Sequence, residues 1–457
     1  MTRSDMLANE KIGKLLLKLS APAIIGLIVQ ALYNIVDRLF VSRFVGTLGI
    51  AGVAVAFPIQ MILMGLGIAV GIGGASMLSR RLGERDREGA SFALGNMISL
   101  AVITGIVCAA VGWIFMDPLL RIFGANAEML PYARDYISII MLGSPFFVFS
   151  MVASSAARAE GNAKVAMVTL IIGGGLNVAL DPIFIIVLNR GVGGAAEATV
   201  ISVFVSCLFL IHYILSGKSE IKLKARHLWL KRNIVTEIFT VGTSDFARTA
   251  AMSAVSAVFN NILQNLSGAL PIAVFGIIFS VISFVFMPII GIAQGAQPIL
   301  GFNYGARQFQ RVKDCLRLAN KSATIIACVG FVVFMAFPGQ ILKVFSYDEE
   351  LIAMGTTATR YLAFAFPLIG YQVIGASLFQ AIGKAKPAIF LAFSRQVLFL
   401  IPMVIILSKL FGLTGVWLSF PASDVTSFIV TLFMVRREQR MLARMETAPP
   451  PNNGQPL

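Results

Sequence analysis

The sequence predicts an all-α integral membrane protein of twelve transmembrane helices, in two pseudo-symmetric six-helix lobes around a central cavity. Three observations predict it: an excess of apolar residues, twelve separable apolar runs and a constant repeat spacing. Of 457 residues, 57% are hydrophobic and only 13% charged, about half the charged share of a soluble domain. A water-soluble core of this length has too little interior to hide that surface. Lipid must act as solvent for much of the chain.

The runs fall at 20–45, 51–78, 91–115, 134–158, 165–187 and 194–216, and then at 234–266, 271–300, 318–338, 356–381, 387–409 and 414–436. Each reaches or exceeds the ~20 residues that carry a helix across a bilayer. They divide the chain into an N-terminal lobe (1–216), a basic linker (217–233) and a C-terminal lobe (234–440). The Pro- and Asn-rich stretch 441–457 is expected to be a disordered tail. The opening MTRSDMLANEKIGKLLLKLS is charged and lacks a small-residue cleavage site, so it reads as an amphipathic lead-in rather than a cleaved signal.

The net charge of +15 has a topological explanation. With the N-terminus inside, 27 of the 37 Lys and Arg fall in inner segments and six in outer ones. Four lie within spans: Arg38, Arg43, Arg248 and Arg395. This asymmetry places both termini in the cytoplasm. Positive charge distributed between apolar runs is also not a nucleic-acid surface.

Residues 222 positions apart correspond. Gly46 matches Gly268, Gly73 matches Gly295, Arg85 matches Arg307, Pro145 matches Pro367 and Gly161 matches Gly383. Near the ends of the halves, GVGG at 191–194 matches GLTG at 412–415 with a shift of 221. Six spans per repeat give both halves one orientation and a pseudo-two-fold axis along the membrane normal.

Chemistry-bearing motifs are few. No GxxxxGK[ST], GxSxG or HExxH occurs, and the four cysteines form no CxxC. These absences argue against an ATP-driven pump, a hydrolase and a metalloenzyme, and no cofactor is expected. The informative residues are charges at membrane depth, each costing about 3 kcal/mol unless paired or hydrated. Asp37 shares a helix face in the first span with Tyr33 and Asn34. Asp181 in the fifth span has Asn177 four residues earlier, and Pro182 frees the Val178 carbonyl. Thr199 in the sixth span can add a hydroxyl. Such hard oxygens suit Na⁺, at Asp37, Asn177, Asp181 and Thr199, or a proton relay. The C-terminal half does not repeat these acids: Phe259 stands opposite Asp37. Its deep charges are Asp245, Arg248, Arg395 and Asp424, read as structural, gating or substrate-contacting groups. Asp245 and Arg248 are spaced to pair, and Arg395 and Asp424 are expected to pair across helices. Glycines 71, 73, 74 and 173 to 175 permit close helix approach.

Together Pro22, Tyr33, Asn34 and Asp37, the NxxxDP of span five, Arg158 with Gly161, and the paired six-span halves resemble the multidrug and toxic compound extrusion (MATE) transporters. The segments SRQVLFLIP (394–402) and PASD (421–424) resemble the bacterial DinF/MepA-like branch. The resemblance implies a secondary transporter, not an enzyme. It would be a monomer in a bacterial cytoplasmic membrane, exporting cationic or amphipathic small molecules by antiport with H⁺ or Na⁺ through alternating access. It also implies that Asp37 and Asp181, helped by Asn177 and Thr199, form the cation site, with no matching site in the C-terminal lobe. Two other readings are a flippase of lipid-linked saccharide precursors, which would use Arg248 and Arg395 for an anionic cargo, and an integral-membrane lipid-modifying enzyme.

Overall fold

The computed structural model describes residues 2–447; a few side chains, Arg38 among them, lie outside the described set. The N-terminal half contains a short helix α1 (Arg3–Asn9), then α2 (Ile12–Phe44), α3 (Thr47–Gly83), α4 (Arg87–Ile114), a short α5 (Met116–Ile122), α6 (Leu130–Ala159), α7 (Ala163–Pro182) and α8 (Gly191–Leu215). The C-terminal half follows with α9 (Arg232–Ser267), α10 (Ala269–Gly305), α11 (Phe309–Ala336), α12 (Pro338–Lys343), α13 (Glu349–Ala363), α14 (Phe366–Ala381), α15 (Ala385–Phe393) and α16 (Ile401–Thr447).

Among the described residues, nine helices are individually long and apolar enough to cross a membrane, and the bent pair α13–α14 makes a tenth. One of the nine, Ala385–Glu446, has 62 residues, far more than a single crossing needs. It breaks at Gly412, whose φ of 56° and ψ of −135° are not helical, and so crosses twice. Helix α9 is the twelfth span. It falls short on hydropathy because it carries Asp245, Arg248, Asn261 and Gln264. The fold is therefore the expected twelve-helix membrane bundle.

The repeat is visible in the backbone. Positive φ occurs at Gly46 (87°) and Gly268 (72°), at Gly161 (79°) and Gly383 (78°), and at Gly191 (58°) and Gly412 (56°). Arg85 (60°) and Arg307 (57°) share this left-handed conformation, which costs a side chain that glycine lacks. A matching strained arginine in both halves is a geometric repeat, not a compositional one.

Both chain ends lie at one end of the bundle. Arg311 Nη2 donates to the carbonyls of Leu7 (3.1 Å) and Glu10 (2.9 Å), and Lys313 pairs with Glu446 at 2.8 Å. The helix therefore persists through 441–447, where the sequence reading places a disordered tail. Leu442 is fully buried there, and its burial holds the last turns. Residues 448–457 of that expected tail lie outside the described residues. The linker is tied down as well. Asn96 accepts from the Lys231 amide (2.8 Å) and donates to the carbonyls of His227 (3.2 Å) and Trp229 (3.1 Å).

At the terminus-bearing end the two halves interlock through glycine. A Cβ on Gly83 would overlap the Phe302 carbonyl, and one on Gly305 would overlap the Arg80 carbonyl. These four residues are two repeat pairs, so the contact is isologous within one chain. The same reciprocity joins Gly73 to Gly242 and Gly295 to Ser20. Arg80 adds an ion pair with Glu237 across the lobes, at 2.5 Å. One apolar core runs through both halves here, containing Leu15, Val70, Ile238 and Ala296. The far half of the C-terminal lobe has a separate core around Phe259, Ile278 and Trp417. At that far end Gly46, Gly268 and Gly276 face open space. The lobes are thus joined at the terminus-bearing end.

Helix α1 bridges this joint. Arg3 reaches Glu160 (3.4 Å) and Tyr213 (2.7 Å) in the first half, while Arg311 and Asn303 of the second hold the Leu7 carbonyl. Burial pushes the Glu160 carboxyl above its ordinary range, although Ser219, the Glu220 amide, Tyr213 and Arg3 all pull it down. The folded chain keeps that proton to higher pH than the unfolded chain. Stability from this group is therefore full below the ordinary carboxylate value and is lost as pH rises through the raised one. Glu160→Gln is expected to flatten this part of the stability curve, as measured by thermal unfolding between about pH 4 and pH 8.

Candidate functional site

The first-half acids converge where α2 meets α7. The Gly173–Gly174 segment of α7 has no side chains to hold its neighbours off. Tyr33 of α2 lies against Gly174, where a Cβ would come within 2.8 Å of its ring, and Ser206 of α8 lies against Gly173. Close approach is the role expected of these glycines, and Gly71 and Gly74 likewise pack against Ser155 and Met97. Gly175 meets nothing within 4 Å.

This packing buries Asp181 completely and Asn177 nearly so. Asn177 Nδ2 donates to Asp181 Oδ1 (3.3 Å) and to Thr199 Oγ1 (3.2 Å), and Thr199 donates to the Ala195 carbonyl (2.8 Å). Asn177 Oδ1 and Asp181 Oδ2 are buried without a hydrogen-bond partner. Among the described residues no guanidinium or ammonium pairs with Asp181. Asp37 lies close enough for its charge to act on both Asp181 and Tyr33. Two acceptors with no donor in a buried acidic pocket are an unmet demand for a cation or a proton. Pro182 acts as its chemistry requires. The α-helix gives way at once to a π-helical stretch, Ile183–Val187, and such bulges often mark functional positions.

One predicted member does not join the cluster. Asn34 is exposed and donates to the Gln30 carbonyl at 2.9 Å. Three residues before Asp37 brings it near the right face, but its side chain folds back on its own helix.

In the second half the position of Asp37 is taken by Phe259, fully buried and stacked on Phe275 at 5.5 Å between ring centroids. Both expected ion pairs are present. Arg248 meets Asp245 at 2.7 Å, and Arg395 meets Asp424 at 2.7 Å. Sequence reasoning missed what supports them. Gln380 donates to the second oxygen of Asp245 (2.7 Å), and Gln372 donates to the Asp424 carbonyl (2.9 Å). Glutamines at membrane depth in span ten were the available signal. The second π-helical stretch, Ser394–Leu400, contains Arg395. Asp424→Asn is expected to strand that arginine and cost about 3 kcal/mol, whereas Arg395→Met with Asp424→Leu regains most of it. Melting temperatures of the two variants in detergent check this.

A family model described as MatE matches residues 22–183 and 246–406. The multidrug export protein MepA of Staphylococcus haemolyticus is 28% identical over 434 residues, which cover 95% of each chain. A solved structure described as the outward-facing conformation of a multidrug resistance MATE family transporter of the MOP superfamily has a TM-score of 0.91 at 28% identity, covering 97% of this chain and 99% of that one. A MOP superfamily transporter from Pyrococcus furiosus, described as having a binding pocket of reverse polarity that suggests a different function, has a TM-score of 0.92 at 29% identity, again covering 97% and 99%.

Proposed function

Because this chain belongs to the MatE family of membrane transporters, and is therefore not an enzyme, we propose that it is a secondary active multidrug exporter. Its cargo is cationic or amphipathic small molecules, and its counter-ion is H⁺ or Na⁺. The observation that carries this reading is the buried Asp181–Asn177–Thr199 cluster, with two unpartnered oxygens beside Asp37. The basic bias of the terminus-bearing end makes that end cytoplasmic. The glycine joint is then the inner seal, and the lobes part toward the outside.

The cycle follows from charge. A cation entering from outside satisfies Asp181 and Asp37 and discharges the first lobe. A cationic cargo then loses its electrostatic partner and leaves outward. The loaded lobe swings, the inner seal parts, and the cation leaves inward. The cation must bind the two conformations with different affinity, since equal affinity would shift nothing. The protein acts as a monomer, because each chain carries both lobes and the joint between them. A flippase of anionic lipid-linked cargo fits less well. Arg248 and Arg395 are each neutralised by an acid, so the second lobe offers no uncompensated positive field.

Efflux of a lipophilic cation from proteoliposomes, with the Na⁺ and proton gradients varied independently, tests the proposal. Efflux driven by one gradient and absent without it supports the exchange. Efflux indifferent to both overturns it.

A further inference from the structure

We propose that the terminus-bearing end of α9 carries a phospholipid site, in which Arg232 binds the phosphate of an anionic lipid whose headgroup bears hydroxyls. The occupant is a lipid of the adjoining leaflet, not cargo, and the inference holds whatever the protein exports.

The linker marks where the bilayer ends. Ser99 of α4 donates to the Leu228 carbonyl (2.7 Å), and Asn96 donates to that of Trp229 (3.1 Å). These bonds hold the linker against the side of α4. One turn further along α4, Val102 and Ile103 begin a run of exposed apolar residues that continues through Ile106, Val107 and Val111, the kind of surface that acyl chains cover. Beside the start of that run the linker presents Leu228, Trp229 and Leu230, all exposed, with Trp229 at 79%. Exposed tryptophan between apolar and basic residues belongs at the membrane–water interface. Arg232 follows three residues later and opens α9, so it stands in the headgroup layer.

A pocket of about 430 Å³ lies against the first turns of α9, lined by Arg232, Asn233, Thr236, Glu237 and Thr240 and by Gly383 from the turn between α14 and α15. Its volume is within the roughly 300–1,000 Å³ of small-molecule sites. From Arg232 to Thr240 the helix rises about 12 Å, enough to span a headgroup layer. The charges around the pocket are spent, except one. Glu237 pairs with Arg80 (2.5 Å), Arg226 with Glu88 (2.7 Å) and Lys384 with Glu438 (2.8 Å), and the Lys231 ammonium sits over the Phe92 ring at 3.1 Å. Arg232 is exposed and, among the described residues, has no acid partner. It supplies one uncompensated positive charge as a planar fork matched to phosphate. A zwitterionic headgroup fits less well, because its ammonium would meet Glu237, which Arg80 already holds. The exposed Thr236 and Thr240 hydroxyls donate to the carbonyls of Arg232 (2.8 Å) and Thr236 (2.5 Å). Their protons are used and their oxygens can only accept, which suits a headgroup that brings hydroxyl donors.

Trp229 provides the readout. Of the three tryptophans, Trp417 is buried at 2% exposure, and Trp113, at the far end of α4, is replaced by Phe in the parent protein. The full chain is reconstituted in phosphatidylcholine vesicles containing a minority of brominated lipid, whose bromines quench a nearby indole. Brominated phosphatidylglycerol is expected to show about tenfold higher relative affinity at Trp229 than brominated phosphatidylcholine, the scale of one charge-assisted contact. Arg232→Gln should remove most of that preference. Lys224→Gln, at an exposed neighbour that does not line the pocket, should leave it. Brominated phosphatidylmethanol, an anion without headgroup hydroxyls, should bind more weakly than phosphatidylglycerol, and Thr236→Val should narrow that difference. Equal losses in Arg232→Gln and Lys224→Gln would mean diffuse attraction to a basic surface and would overturn the site. Phosphatidylethanolamine or phosphatidylmethanol matching phosphatidylglycerol in the parent would overturn it too.

Discussion

Replacing Asp181 by Asn is expected to reduce gradient-driven efflux by roughly fifty- to a hundredfold, the upper range of a coupling between two ligands, while leaving the fold intact. The fold survives because the new amide can donate to Asn177 Oδ1, a buried oxygen that otherwise lacks a partner. The function is lost because an amide cannot take up or release a counter-ion's worth of charge. Asp37→Asn should fail in the same direction. Thr199→Ala should weaken coupling less, since its hydroxyl accepts only one bond from Asn177. Asn34→Ala provides the contrast. Its amide is spent on its own helix, and rates should change less than about twofold, as for an ordinary exposed substitution. Initial rates in proteoliposomes, with thermal unfolding as the control for folding, check the series. Wild-type efflux in Asp181→Asn would remove the basis of the coupling scheme.

Gly83→Val and Gly305→Val are expected to act on conformation instead, and to act equally. Each added side chain meets a main-chain carbonyl, which cannot rotate aside as a side chain can. Overpacking of this kind costs about 1–3 kcal/mol. The cost falls only on the state in which the inner seal is closed, so it shifts the population toward the opened seal by roughly tenfold or more. Spin labels on the inner ends of α4 and α11 should report a longer interlobe distance in both variants. Gly276→Ala, at a position facing open space, should leave the distance unchanged. Equal effects at Gly83 and Gly305 are a consequence of the repeat. A large effect at one and none at the other would show that the seal is not isologous.

The candidate site was only partly legible in the sequence. Asp181 and Asn177 are one helical turn apart, and that spacing alone brings their side chains together. Thr199 and Tyr33 come from other helices. They reach the cluster because Gly173 and Gly174 let α2 and α8 close on α7. Gln380, which holds Asp245, lies 135 residues away in the chain; a glutamine within a span signals a polar role, but no local pattern names its partner. Asn34 shows the converse. Its spacing from Asp37 was right, yet a bond to its own backbone was available and won.

By itself the sequence determined the solvent, the number of crossings, the two-fold repeat and the depth of each charge. All four follow from hydropathy, periodicity and spacing, which are properties of short stretches. Tertiary structure decided what supports the ion pairs, which oxygens remain unsatisfied, and at which end the halves are sealed. These depend on contacts between different helices, and for the seal and the Gln380 support between residues more than a hundred positions apart. They arise when glycine lets two main chains touch, and a glycine states that an approach is permitted without naming its partner.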